Sequence, residues 1–84
     1  MNAEQIRATL IKIKRNQIKI PNELKEAINK TPQEYQSIIN TYYLENAPLQ
    51  YMMYQYHYSR ARMINKINEC IVSLYTILQY QKSA

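Results

Sequence analysis

The sequence predicts an all-α fold of four to five helices, ending in a tri-helical helix-turn-helix unit with a long last helix. The 84 residues include no glycine, which the tight turns between strands usually need. Proline and asparagine instead mark the breaks between segments, and the apolar residues within each segment recur at helical spacing. We therefore expect a single small domain over residues 1–84.

A basic helical extension is predicted over residues 1–30. Its first helix is expected at about 3–18, with the apolar residues Ile6, Leu10 and Ile13. Apolar and polar residues also alternate over 10–20, so a β-hairpin stays open as an alternative, although a lone hairpin is marginal in water. Pro21 favours the start of a short second helix. The inner face of that helix is expected to contain Leu24, Ala27 and Ile28.

The strongest local signal is the sequence Thr-Pro-Gln-Glu over residues 31–34. Thr31 at the N-cap, Pro32 at the first helical position and Glu34 three residues after the threonine predict a capping box. The helix that follows is expected to have about fourteen residues and to end at Glu45-Asn46. Its apolar residues are Tyr35, Ile38, Ile39, Tyr42 and Tyr43.

Two more helices complete a helix-turn-helix unit predicted over 31–78. Pro48 begins a helix of about eight residues. Its apolar face contains Leu49, Met52 and Met53. After a turn, Ser59 is the expected N-cap of the long last helix. The apolar stripe of that helix contains Met63, Ile67, Cys70, Ile71, Leu74, Ile77 and Leu78. Residues 79–84 are expected to form a frayed tail.

Positive charge flanks this unit, in a chain whose net charge is +5. Residues 31–58 contain no lysine or arginine. Basic residues resume at the start of the last helix, which is the recognition helix in a tri-helical DNA-binding unit. The candidate DNA-binding residues there are Ser59, Arg60, Arg62, Asn65 and Lys66. Candidate contacts to the DNA backbone from the first helix are Lys12, Lys14 and Arg15.

A known pattern is found over residues 34–78. It comprises an aromatic-rich helix at 39–44, a short helix at 48–55, the turn Tyr56-His57-Tyr58-Ser59 and a long helix that opens with Arg60. This stretch resembles the C-terminal region of phage late-transcription activators of the RinA/ArpU/LtrC-like group, which in turn resemble region 4 of sigma factors. The resemblance implies a small activator, encoded by a phage or related mobile element, that binds double-stranded promoter DNA through 59–66 and contacts host RNA polymerase or a sigma factor.

The middle helix departs from that pattern, because LQYMMYQY carries tyrosines where charges are usual. We therefore expect Tyr51, Tyr54 and Tyr58 to form a protein interface. Two other functions stay open. One is a protein-interaction module that binds a transcription factor or a polymerase subunit through this Tyr/Met surface. The other is a small terminase-type DNA-packaging protein. The first helix offers a surface for a homodimer.

Catalytic, cofactor and metal sites are not expected. The chain has no aspartate and no glycine-rich phosphate loop, so we expect no enzyme and no cofactor. His57 and Cys70 are too few for a metal site; we expect a hydrogen-bonded turn histidine and a buried structural cysteine. Without a long apolar run or a signal-peptide pattern, we expect a cytoplasmic protein with no membrane contact, in the host cytoplasm if a phage encodes it.

Overall fold

The computed structural model describes the backbone of residues 1–83 and the side chains of residues 1–81, and this part of the chain contains helices and no strand. The elements are α1 (Ala3–Lys14), α2 (Asn22–Asn29), α3 (Gln33–Ile39) with a π-helical continuation (Asn40–Leu44), α4 (Leu49–Tyr56) and α5 (Arg60–Ser83). The predicted all-α fold is confirmed. The hairpin alternative is wrong, because the first 30 residues contain α1 and α2.

Helix α1 begins with a capping box that sequence analysis did not identify. Asn2 Oδ1 accepts a hydrogen bond from the Gln5 amide at 2.8 Å, and Gln5 Oε1 accepts one from the Asn2 amide at 2.9 Å. The helix ends at Lys14, before the predicted end near residue 18, and Asn16 follows in the left-handed conformation with φ 58°. The predicted inner residues Ile6, Leu10 and Ile13 are buried.

All three prolines occupy the N-cap of a helix, one position before the predicted site. Pro21, Pro32 and Pro48 have extended backbones, and no side chain caps the helices that follow them. Each proline carbonyl accepts the first helical hydrogen bond, at 3.0, 2.9 and 3.2 Å respectively. Proline suits this position because its fixed φ is compatible with an extended residue and it has no amide hydrogen to satisfy.

The capping box predicted for Thr31 and Glu34 is therefore wrong. With Pro32 at the N-cap, α3 begins at Gln33 and Glu34 is only its second residue. Thr31 is buried, and its hydroxyl donates to the Ile28 carbonyl at 2.6 Å. The threonine thus closes the end of α2 instead of the start of α3.

Helix α5 is the centre of the molecule and contacts α1, α2, α3 and α4. Its predicted apolar stripe is buried, except that Ile77 is half-buried. The buried residues of the other elements are Ile6, Leu10, Ile13, Leu24, Ala27, Ile28, Ile38, Ile39, Tyr43 and Met52. The helix continues through Ser83, the fraying expected from residue 79 stays a prediction, and Ala84 lies outside the described residues.

Helix α3 and the π-helical segment form one run from Gln33 to Leu44, slightly shorter than the fourteen residues predicted. The wide turn is visible in the hydrogen bond from the Glu45 amide to the Asn40 carbonyl, at 2.8 Å. Asn46, with φ 59°, then reverses the chain before α4. The order of a helical run over 33–44, a short helix and a long helix is therefore as predicted, although the first has no side-chain cap.

Candidate nucleic-acid interface

A three-residue turn, His57 to Ser59, joins α4 to α5. His57 adopts a left-handed conformation, with φ 58° and ψ 39°, where glycine is more usual. Its amide and that of Tyr58 both donate to the Met53 carbonyl, so the hydrogen bond predicted for this turn histidine is made by its backbone. Ser59 Oγ accepts a hydrogen bond from the Arg62 amide at 3.2 Å, which confirms the predicted N-cap.

The first turns of α5 present a polar surface, which we call the N-terminal face of α5. It surrounds an open cleft of about 410 Å³ lined by Ser59, Ala61, Arg62, Asn65, Lys66 and Glu69. Four of the five predicted DNA-binding residues thus lie together. Ser59, Arg62 and Asn65 are exposed, whereas Lys66 is half-buried.

Arg60 does not line this cleft. Because an α-helix turns by about 100° per residue, the side chains of Arg60 and Arg62 leave α5 about 200° apart. Arg60 lines a second depression, between α5, α1 and the π-helical segment. The structure therefore places the two arginines at different depressions, and the DNA contact by Arg60 stays a prediction.

Lys66 takes part in an ion-pair network within the chain. Its Nζ lies 3.9 Å from Glu34 Oε1 and 3.7 Å from Glu69 Oε2, and its side chain is 18% exposed. Desolvation acts to lower the pKa of Lys66, but the two carboxylates outweigh it and leave that pKa above its usual value. The phosphate contact by Lys66 stays a prediction, and in this structure its charge is shared with Glu34 of α3 and Glu69 of α5.

Tyr58 belongs to the same network. Its hydroxyl donates to Glu34 Oε1 at 2.8 Å, and this hydrogen bond raises the pKa of Tyr58. The Arg62 guanidinium lies 5.1 Å from the centre of the Tyr58 ring, within the range of a cation–π contact. Tyr58 is half-buried and its ring lies beside Arg62, while its predicted place in a protein interface stays a prediction.

Glu34 is the residue of this network whose role sequence analysis misplaced, because it was expected to form a capping box. Its partners Tyr58 and Lys66 lie 24 and 32 positions further along the chain. No local spacing could identify that link, because the packing of α3 against α5 creates it.

The three predicted backbone contacts in α1 differ in their surroundings. Lys12 and Arg15 are exposed near the end of the helix. Lys14 is half-buried, and its Nζ donates to the carbonyls of Tyr42 and Ala47, both at 2.8 Å. The same ammonium lies 3.9 Å from the Tyr42 ring centre, and burial lowers its pKa. In this structure Lys14 therefore acts as an internal donor, and its predicted DNA contact stays a prediction.

The tyrosines of α4 divide into two groups. Tyr51 and Tyr54 are 47% and 79% exposed, as expected for a surface available to a partner. Tyr56 is half-buried, and its hydroxyl shares a hydrogen bond with Ser37 Oγ of α3. Met52 is fully buried and anchors the opposite side of α4.

Cys70 is buried as predicted, and its Sγ lies 3.8 Å from the Tyr35 carbonyl oxygen. Burial raises the pKa of this thiol to about 12, so it is protonated at neutral pH. Among the described residues, no three His, Cys, Asp or Glu side chains are grouped as a metal site would require. None of the described helices combines the length and apolar character needed to span a membrane.

No protein-family model, no curated protein and no solved structure matches the chain. The resemblance to late-transcription activators therefore rests on the residues of 34–78 alone.

Proposed function

We propose that this protein is a DNA-binding transcription regulator that contacts DNA through the N-terminal face of α5. The observation that carries the proposal is the exposed group Ser59, Arg62 and Asn65 at the start of the longest helix. That helix is otherwise anchored in the core and follows a short helix after a three-residue turn, the order found in helix-turn-helix units.

Each of these residues has a chemical role in the proposal. The Asn65 amide can pair with an adenine edge, and the Arg62 guanidinium with guanine or phosphate. The Ser59 hydroxyl and the positive end of the helix dipole at the start of α5 favour a phosphate oxygen. Because the Tyr58 ring lies beside the Arg62 guanidinium, less side-chain entropy is lost when Arg62 contacts DNA.

The biological role follows from the resemblance given by 34–78. By this proposal, the protein activates late genes of a phage or related element, binds promoter DNA and also contacts host RNA polymerase or a sigma factor. Exposed Tyr51 and Tyr54 supply a surface for that second contact, since tyrosine is enriched where proteins meet.

Selection of bound duplexes from a random-sequence pool tests the proposal, followed by titration of the selected duplex with variants. We expect Arg62→Ala and Asn65→Ala each to weaken binding by about 1–3 kcal/mol, and Asn65→Ala to relax the preference at one base pair. Lys25→Ala, an exposed position on α2, is the matched control. Failure to enrich any sequence, or variants that bind like the parent, would refute the assignment.

The exposure of Tyr51 and Tyr54 also favours a second function, that of a protein-interaction module. In that case Tyr54→Ser would weaken binding to purified RNA polymerase, while the protein would have no affinity for duplex DNA at about 50 mM salt. Binding of DNA at low salt that Tyr54→Ser leaves unchanged would instead support the first function.

A further inference from the structure

A depression on the other side of α5 combines apolar and basic side chains, and we call it the basic groove. It has a volume of about 390 Å³ and lies between α1, the π-helical segment, the start of α4 and α5. The lining residues are Arg7, Ile11, Lys14, Tyr42, Tyr43, Leu49, Arg60, Ile64, Ile67 and Asn68. It shares no lining residue with the cleft at the N-terminal face of α5.

The floor of the basic groove is apolar and partly open to water. Ile64 is 40% exposed, and Ile11 and Leu49 are half-buried. Covering such side chains is favourable because it removes apolar surface from water. An occupant that gains this energy must itself present apolar side chains, which a sugar-phosphate backbone does not.

The charges around this floor are all positive. Arg7 and Arg60 are exposed, and none of the described residues that line the groove is acidic. Arg7 Nη2 donates to Asn68 Oδ1 at 3.1 Å, which holds its guanidinium at the wall of the groove. Lys14 adds a third positive charge, although two backbone carbonyls already occupy its donors.

We propose that the basic groove binds a segment of a partner protein that carries carboxylates beside leucine-like side chains. The arginines match carboxylates in bidentate geometry, and the apolar floor matches the aliphatic anchors of an amphipathic helix. A second copy of this chain fits poorly, because two molecules of net charge +5 repel each other. The basic groove does not include the exposed tyrosines of α4, so it is a separate surface from theirs.

Selection from a displayed library of random peptides tests this proposal on the full chain, and fluorescence anisotropy then measures the affinity of the selected peptides. We expect acidic sequences with interspersed Leu, Ile or Phe. Arg60→Glu and Ile64→Gln should each weaken their binding by about tenfold or more, because the first reverses a contact charge and the second removes apolar floor.

Lys25→Glu is the matched control, since it makes the same charge change on an exposed residue outside the groove. It should change the affinity by less than about twofold, because distant surface charges are screened. Circular dichroism of each variant confirms that the fold is retained.

Three results would overturn the proposal: no peptide enriched above the bare support, selected peptides that bind Arg60→Glu and Ile64→Gln like the parent, or displacement of the peptides by duplex DNA. The last result would assign the groove to nucleic acid. The outcome is separable from the proposed function, because DNA binding should respond to Arg62→Ala and peptide binding to Arg60→Glu.

Discussion

The ammonium group of Lys14 closes the end of the π-helical segment. The last carbonyls of a helix have no partner within it, and here Lys14 donates to Tyr42 of the π-helical segment and to Ala47 in the loop that follows. The sequence alone does not distinguish a lysine that donates to carbonyls inside the protein from one that contacts DNA phosphate. Both lie near the end of a basic helix. The pairing depends on how α1 packs against the π-helical segment.

Lys14→Met should therefore destabilise the protein, since it leaves two carbonyls without this donor while retaining the aliphatic stem. We expect a loss of about 1–3 kcal/mol in the free energy of unfolding, measured by urea denaturation. Lys12→Met, on the exposed side of the same helix, should change it by less than about 0.5 kcal/mol. Equal effects of the two variants would contradict the internal cap.

Because Cys70 and Tyr43 are buried, we expect the protein to lose stability at alkaline pH. Burial raises the pKa of the thiol from 9.0 to about 12 and that of the phenol from 10.0 to about 12. The folded chain therefore holds protons that the unfolded chain releases. This contribution to stability is complete below pH 9 and is lost as the pH rises towards 12.

Urea denaturation between about pH 9 and pH 12 tests this titration in the parent and in Cys70→Ala. The variant has a small cavity and lower stability throughout, but its slope with pH should be shallower by up to about 1.4 kcal/mol per pH unit. Identical slopes would show that the thiol does not contribute.

At the scale of the helices, periodicity was sufficient to place the elements and their inner faces. The buried residues of α1, α2 and α5 are almost all those that helical spacing indicated. The caps were less predictable. Thr-Pro-Gln-Glu fits a helix start with the N-cap at Thr31 or at Pro32, and the structure has Pro32 at the N-cap. The Asn2–Gln5 capping box has the expected spacing of three residues, but no proline or preceding segment marks it as a helix start.

The left-handed His57 sets the turn between α4 and α5, and it costs energy that glycine would not. His57→Gly should raise the free energy of unfolding by about 0.5–1 kcal/mol, measured by thermal or urea denaturation. Gln55→Gly, inside α4 on an exposed position, should lower it by about 1 kcal/mol. A destabilising His57→Gly would mean that the turn has another conformation in solution.

At the scale of the molecule, packing around α5 decides which charges remain free. It pairs Lys66 with Glu34 and Glu69 and directs Arg60 and Arg62 to opposite sides. The sequence supports a helix-turn-helix order and a basic start to the last helix. The sequence cannot show which of those basic residues share a surface, because that depends on residues of α1 and α3 that pack beside them.

The salt dependence of DNA binding should reflect this reduced set of charges. With Lys14 and Lys66 occupied, we expect only about three phosphate contacts, from Arg62, Lys12 and Arg15, and hence a slope of about −3 for log K against log salt. Lys66→Ala should leave the slope unchanged. A slope steeper than about −5 in the parent protein would mean that the paired lysines are released to bind phosphate.

The most direct test of the DNA-binding surface is amide chemical-shift mapping of the full chain by NMR, during titration with a duplex at about 50 mM salt. We expect the largest shifts to cluster in residues 58–69, at the N-terminal face of α5 and its turn, and to vanish in Arg62→Ala with Asn65→Ala. Shifts confined to α4 or the basic groove, or no shifts at all, would contradict it.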